Sequence, residues 1–273
     1  MEDVGSPAVS GTVSRGRGEQ LPFVDVREVT VRFGGITALD RLSFDIERGQ
    51  ICGLIGPNGA GKTTMFNVIS RIYEPTSGKV TFDDVSILER SPHSIAKLGI
   101  ARTFQNLALF PTMTLLENVM VGAHSCGSVG FLRAILRIAP WREEKETRAF
   151  AYDLLQQLGL APLAFQPAAA LPFGTLKRLE IARALAARPR FLLLDEPASG
   201  LTHGEVDELG QTIKQIRDQF DLTVLLVEHH MAMVMGISDK VVVMDLGRKI
   251  ADGTPAEVRL DPAVIKAYLG SAA

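Results

Sequence analysis

Cysteine is scarce in this chain: 273 residues carry 2, Cys52 and Cys126. That excludes a disulfide framework or a cysteine zinc site, which need closely placed pairs. It fits reduced thiols in a cytosolic setting, with Cys52 a small buried strand residue. Charge of one sign is lacking too. With 29 basic against 31 acidic residues the formal balance is −2, so no cationic surface is expected for nucleic-acid phosphates. Long apolar runs are missing as well. The densest, Phe191–Leu194, Thr223–Val227 and Val241–Met244, are strand-sized and far short of the roughly 20 residues of a spanning helix. The first twenty residues mix Gly, Ser and Arg with Glu2 and Asp3 around no apolar centre. They read as a disordered tail, 1–20, and not as a signal peptide. No internal repeat is visible. What is present is apolar substance: 46% hydrophobic against 22% charged residues, enough for a sizeable globular core.

Periodicity supplies the outline. Phe23, Val29, Val31 and Phe33 stand at even steps and predict a strand over 23–33. A second strand pair is expected at Leu42–Ile46 and Gln50–Ile55, then a glycine-rich turn and a helix to about Arg71. Lys79–Phe82 and Ile100–Phe104 read as short strands. From about Leu115 to Leu158 the chain turns helical: Ala151, Leu154, Leu155 and Leu158 follow one helix face, with Gly159 as a stop. Phe191–Asp195 is a buried strand, Glu205–Gln219 a helix, and Leu222–Val227 another strand. A Met-rich helix and two short strands close the pattern. Alternating buried strands and helices predict an α/β core with a parallel sheet. A helical insert at about 107–170 is expected as a subdomain.

One stretch carries most of the chemistry. Gly56-Pro57-Asn58-Gly59-Ala60-Gly61-Lys62-Thr63-Thr64 follows the apolar run Ile51–Ile55, which is the phosphate-binding loop in its strand-loop-helix setting. Its glycines let backbone N–H groups approach a β-phosphate, and the helix beginning near Gly61 adds its positive end. Lys62 can reach the β- and γ-phosphates, and the Thr63 hydroxyl can ligate Mg²⁺. Phe191–Leu194 then runs into Asp195 and Glu196, placing two carboxylates at a strand's C-terminal edge, where ligands bind in such sheets. Asp195 suits the Mg²⁺ shell, and Glu196 can polarise an attacking water as general base. Alone, a strand ending in Asp-Glu is a solvated strand end; after a phosphate loop it reads as machinery. Gln105, ending one strand, is placed to join the metal shell and sense the γ-phosphate. His229, after another, is placed to contact the γ-phosphate and orient the water, with His230 adjacent.

In this order the motifs resemble the nucleotide-binding subunit of ATP-binding cassette (ABC) transporters, over nearly the whole chain from about Phe23. The resemblance implies a P-loop NTPase core with a mixed sheet, an antiparallel β subdomain and a helical subdomain, all within 21–273. It implies ATP and Mg²⁺ as ligands. Phe33 would be the aromatic that stacks on adenine, Gln105 the Q-loop residue, Asp195 and Glu196 the Walker B pair, and His229 the switch histidine. Ser199-Gly200-Leu201-Thr202 stands at the D-loop, with Thr202 where the family has Asp or Asn. Leu171-Pro172-Phe173-Gly174-Thr175 stands at the signature, usually Leu-Ser-Gly-Gly-Gln; Leu171 and Gly174 match, whereas Pro172, Phe173 and Thr175 do not. In that family two subunits meet head to tail, and each signature closes over the ATP held by the other's phosphate loop. Proline in the first helical turn is expected to keep that geometry while losing the serine hydroxyl.

The form Leu-Pro-aromatic-Gly followed by Arg178-Leu179-Glu180-Ile181-Ala182-Arg183 is similar to one branch, the ATP-binding subunits of branched-chain amino-acid importers. Arg102–Asn106, Leu109–Pro111, Leu116–Val119, Val227–Met231, Ala251–Val258 and Val264–Gly270 agree. The resemblance implies two integral membrane permease subunits, a second ATPase subunit and an extracytoplasmic substrate-binding protein, with this chain at the cytoplasmic face of the membrane. Leu109, Phe110 and Met113 are expected to be exposed apolar residues that receive the permease. Importers of urea, amides or other small solutes stay open. So do two other classes, a non-transport ABC ATPase of DNA repair or translation and a module that binds nucleotide without hydrolysis. Co-purification of a membrane partner separates transport from them.

Overall fold

The computed structural model describes residues 22–103, 107–124 and 140–269. The expected tail at 1–20, Gln105, Cys126 and part of the helical insert lie outside them. Strands β1 (Val24–Phe33) and β2 (Ile36–Ile46) form an antiparallel hairpin. With β3 (Ile51–Ile55) leaving for another layer, β4 (Ser77–Phe82) and β5 (Val85–Ser86) complete a four-stranded sheet ordered β2-β1-β4-β5.

The second sheet takes β3, β6 (Ile100–Arg102), β7 (Phe191–Asp195), β8 (Thr223–Val227), β9 (Lys240–Asp245) and β10 (Arg248–Gly253). Its order is β10-β9-β3-β8-β7-β6, parallel throughout except for β10. Every residue of β3, β7 and β8 is buried, as strands covered on both faces must be. Their side chains divide by alternation. Cys52, Leu54, Leu193, Leu225 and Val227 face a core shared with the antiparallel sheet and helix α1 (Lys62–Ile69). Ile51, Ile55, Leu192, Leu194, Val224 and Leu226 face a second core, built with the remaining helices.

Those helices are α2 (Leu115–His124), α3 (Pro140–Gln157), α4 (Phe173–Leu185), α5 (His203–Phe220), α6 (Met231–Ile237), α7 (Pro255–Leu260) and α8 (Pro262–Leu269). Ala151, Leu154, Leu155 and Leu158 are buried along α3 and just past it. Gly159, at φ +69, lets the chain turn back so that Leu160 N–H reaches Leu155 O at 2.7 Å. Among the described residues no helix is long and apolar enough to cross a membrane.

Two expectations are corrected. Leu42–Ile46 and Gln50–Ile55 do not pair: a turn closed by Gln50 N–H on Glu47 O sends them to different sheets. The physical reason is burial, since five consecutive apolar residues in β3 need cover on both faces. The even-step pattern of β1 also breaks. Register shifts between Val26 and Val29 and between Val31 and Arg32 turn Phe33 outward, 47% exposed.

Candidate nucleotide site

Strands β3, β7 and β8 end side by side, with Leu54 and Asp195 each opposite Val227. The loop after Ile55, the carboxylates after Leu194 and the turn after Val227 therefore share one edge of the sheet. Leu54 and Val227, 173 positions apart in sequence, are brought together by strand order.

Gly56 opens the phosphate loop at φ +154, and a Cβ there would lie 2.2 Å from Met244 O, so only glycine fits. The far end of the loop is fixed by Gly247, in the β9–β10 turn, whose N–H donates to Ala60 O at 3.0 Å. Gly247 O in turn accepts the Asp40 N–H of β2 at 2.9 Å. Lys62 curls over the loop and donates to Gly56 O at 2.7 Å and Pro57 O at 3.0 Å. Burial pulls its ammonium below the usual lysine range, and the nearby Glu196 carboxylate opposes this. Thr63 stands exposed on the first turn of α1 and Thr64 is half-buried. Asn58 and Gly59 form the exposed crest of the loop.

Asp195 is almost wholly buried and pairs with Arg102, Oδ2 to Nη2 3.1 Å. Burial holds its carboxyl above the ordinary carboxylate range, with Arg102 pulling the other way. Arg102 also donates to Asn67 Oδ1 at 2.7 Å and Ser70 Oγ at 3.2 Å, and lies 4.7 Å over the Phe66 ring. One guanidinium thus joins the ends of β6 and β7 to α1. Glu196, at φ +46, turns away from the strand, its N–H on Val227 O at 2.8 Å. His229 Nδ1 sits 3.9 Å from Glu196 Oε1, so the expected base and switch histidine are neighbours. The His230 ring stacks on His229 at 5.1 Å, and His230 caps α6.

Phe33 packs edge-on against Tyr73, centroids 5.2 Å apart, giving a two-ring exposed platform. The opening of α4 stands elsewhere, against the turn before α5. Pro172 is the cap of α4 and not a first-turn residue, with φ −58, ψ 152 and its carbonyl accepting Leu176 N–H at 3.1 Å. The position demands an extended ψ that proline meets, and no helical N–H is lost. Phe173, nearly half exposed, covers Gly200, with Lys177 Nζ 5.4 Å from the ring. Gly174 faces the Glu205 carboxylate, and Leu171 is half-buried against the helical core. Thr202 is committed within the chain: its hydroxyl and N–H both donate to Glu205 Oε2, at 2.7 and 2.9 Å.

Sequence reasoning missed Arg102, Asn67, Tyr73 and the carboxylate of Glu228. A strand-end arginine and a tyrosine after α1 have no partner nearby in sequence, so nothing local marked them. The donors at this edge fit what the motifs imply. The Thr63 hydroxyl and Asp195 carboxylate are hard oxygen ligands of the kind Mg²⁺ takes. Lys62 and the loop N–H groups suit phosphates.

The ABC transporter family model matches residues 39–199. This chain belongs to the ABC transporter family. A model for the branched-chain amino acid ATP-binding cassette transporter matches 248–273, the stretch from β10 through α8. Among relatives of this ABC chain, the high-affinity branched-chain amino acid transport ATP-binding protein BraF of Pseudomonas aeruginosa is 43% identical over 252 residues. That match covers 92% of this chain and 99% of BraF. LivG of Escherichia coli, described in the same words, is 40% identical with the same coverage. The ADP conformation of MJ1267, an ATP-binding cassette of an ABC transporter, superposes with TM-score 0.81 at 30% identity, covering 92% of this chain and all of that one. The dimeric ABC transporter cassette MJ0796 gives TM-score 0.72 at 25% identity, over 85% and 98%. The fold is thus the ABC cassette that the motifs imply. Like its family, this ABC subunit binds nucleotide, and ATP hydrolysis is its activity.

Proposed function

We propose that this chain is the ATP-hydrolysing subunit of an importer for branched-chain or other hydrophobic amino acids, at the cytoplasmic face of the membrane. The observation that carries the catalytic reading is the shared sheet edge, with His229 Nδ1 3.9 Å from Glu196 Oε1 beside the phosphate loop. The solute class is supported by relatives 40% and 43% identical over 92% of the chain, named for branched-chain amino acids.

In this reading the Phe33–Tyr73 platform stacks on adenine, and Gly56–Thr64 with Lys62 bind the β- and γ-phosphates. Thr63 and Asp195, with Gln105, would hold Mg²⁺, which when bound offsets phosphate charge. Glu196 takes a proton from the attacking water, and His229 contacts the γ-phosphate and orients that water, giving ADP and phosphate. Leu171, Pro172, Phe173 and Gly174 complete the corresponding site on a second ATPase subunit in a head-to-tail dimer. Two permease subunits dock on the segment led by Phe110 and Met113, 44% and 36% exposed; Leu109, half-buried, packs inward instead. The buried Asn118 holds that segment, bonding both the N–H and carbonyl of Phe110. A substrate-binding protein outside the membrane delivers the solute.

Glu196→Gln in the assembled transporter tests the reading. ATP binding should persist while turnover falls about 100-fold or more; near-normal turnover would overturn the base assignment. Uptake of labelled leucine against labelled urea in a deletion strain tests the solute class.

A further inference from the structure

Glu228 directly follows β8 with its side chain wholly buried, and its two oxygens serve different segments. Oε1 accepts the Ala198 N–H at 2.7 Å. Oε2 accepts the N–H groups of His229 at 2.9 Å and His230 at 3.2 Å. Ala198 lies two residues after Glu196, so one carboxylate grips both the Glu196 turn and the histidine turn. The Glu196 N–H to Val227 O bond closes the same frame from the strand side.

An ionised carboxylate is suited to this task. It has acceptor capacity on both oxygens and no donor to clash with three converging N–H groups, and charge-assisted bonds are about twice as strong as neutral ones. The ligand atoms of Glu228, His229 and His230 lie within 4.8 Å of one another, but this carboxylate is already engaged by N–H groups. Its geometry is that of a brace, not of a chelate.

We propose that Glu228 is a positioning residue for hydrolysis, setting the placement of the His229 imidazole relative to the Glu196 carboxylate. The proposal rests on the roles given above to His229 and Glu196. Glu228→Gln keeps the shape but presents an NH₂ to N–H donors on one side, so one of the two turns is released. A shift of about 1 Å at a reacting group can cost about 100-fold in rate.

The test is steady-state ATPase of the full chain assembled with its partners, for Glu228→Gln, His229→Ala and the double variant. Glu228→Gln should lower kcat about 10- to 100-fold and leave KM for ATP within about 2-fold, because the phosphate loop is untouched. In the His229→Ala background the same change should cost clearly less than it does alone, since half of the pair it aligns is gone and only the Glu196 turn is left to shift. Multiplying losses, or an effect mainly on KM, would overturn the proposal while leaving the role of His229 standing. Near-normal turnover of His229→Ala would overturn that role itself, and the positioning proposal with it. If Glu228→Gln no longer binds a fluorescent ATP analogue, Glu228→Asp replaces it. That variant keeps the charge, draws it back by one methylene, and should show the same loss confined to kcat.

Discussion

Arg102→Met removes one half of the buried pair at the site and leaves the other half charged. Arg102 and Asp195 are 13% and 4% exposed, 3.1 Å apart. Methionine replaces much of the stem against Phe66 but none of the bonds to Asp195, Asn67 and Ser70. Stranding one member of a buried pair costs about 3–5 kcal/mol. With a urea m-value of about 3 kcal/mol/M, that lowers the unfolding midpoint by about 1–1.7 M. The loss should depend on pH in a definite direction. Burial already raises the Asp195 carboxyl, and Arg102 opposes this, so the variant raises it further. An acid with a raised folded pKa loses stability as pH climbs from its unfolded value through the folded one. Urea unfolding followed by circular dichroism should therefore show a larger deficit at pH 8 than at pH 5. Adding Asp195→Asn should recover most of the midpoint. A drop under about 0.3 M, or an equal drop in the Asp195→Asn background, would refute the assignment of a coupled buried pair.

Further outcomes follow from other positions. Burial pushes the Cys52 thiol up to about 12, so in a Cys126→Ser background it should resist a thiol reagent at pH 8 until urea unfolds the chain; fast reaction in the native protein would refute a closed β3. Pro172→Ser restores a side-chain cap to α4, worth about 1 kcal/mol or about 2–4 °C in melting temperature. It should also strengthen ATP-driven dimerisation, and no change in either measurement would mean the missing hydroxyl is replaced from another residue. Gly56→Ala forces a methyl onto Met244 O and should weaken binding of a fluorescent ATP analogue more than about 10-fold, the equivalent of about 1.4 kcal/mol; unchanged affinity would show that the loop re-forms.

Legibility followed the range of the physics involved. Phe191–Asp195 was bounded correctly because an unbroken apolar run ending in carboxylates is a local signal, and the same holds for the stripe of α3 closed by Gly159. The phosphate loop was readable because its glycines and lysine fall within one short stretch, Gly56–Lys62, straight after an apolar run. Strand order was not, since β3 lies between β8 and β9 and no residue near β3 announces those partners. Arg102 and Glu228 escaped for the same reason: each acts across the sheet, on Asp195 from 93 positions away and on Ala198 from 30. The turning-out of Phe33 depended on bulges in β1, which a count of even steps cannot register. Helices α7 and α8, each opened by proline and only 6 and 8 residues long, carry too few turns for a periodic signal.

Gly247 has a mechanical consequence. By clasping Ala60 on one side and Asp40 on the other, it rivets the phosphate loop to the hairpin that carries Phe33. In the function proposed above, the ring that stacks on a base and the cradle that holds the phosphates are thereby joined through the β9–β10 turn, a gauge of fixed span. Loosening the rivet would let that gauge flex without changing any residue to which the proposal assigns a nucleotide contact.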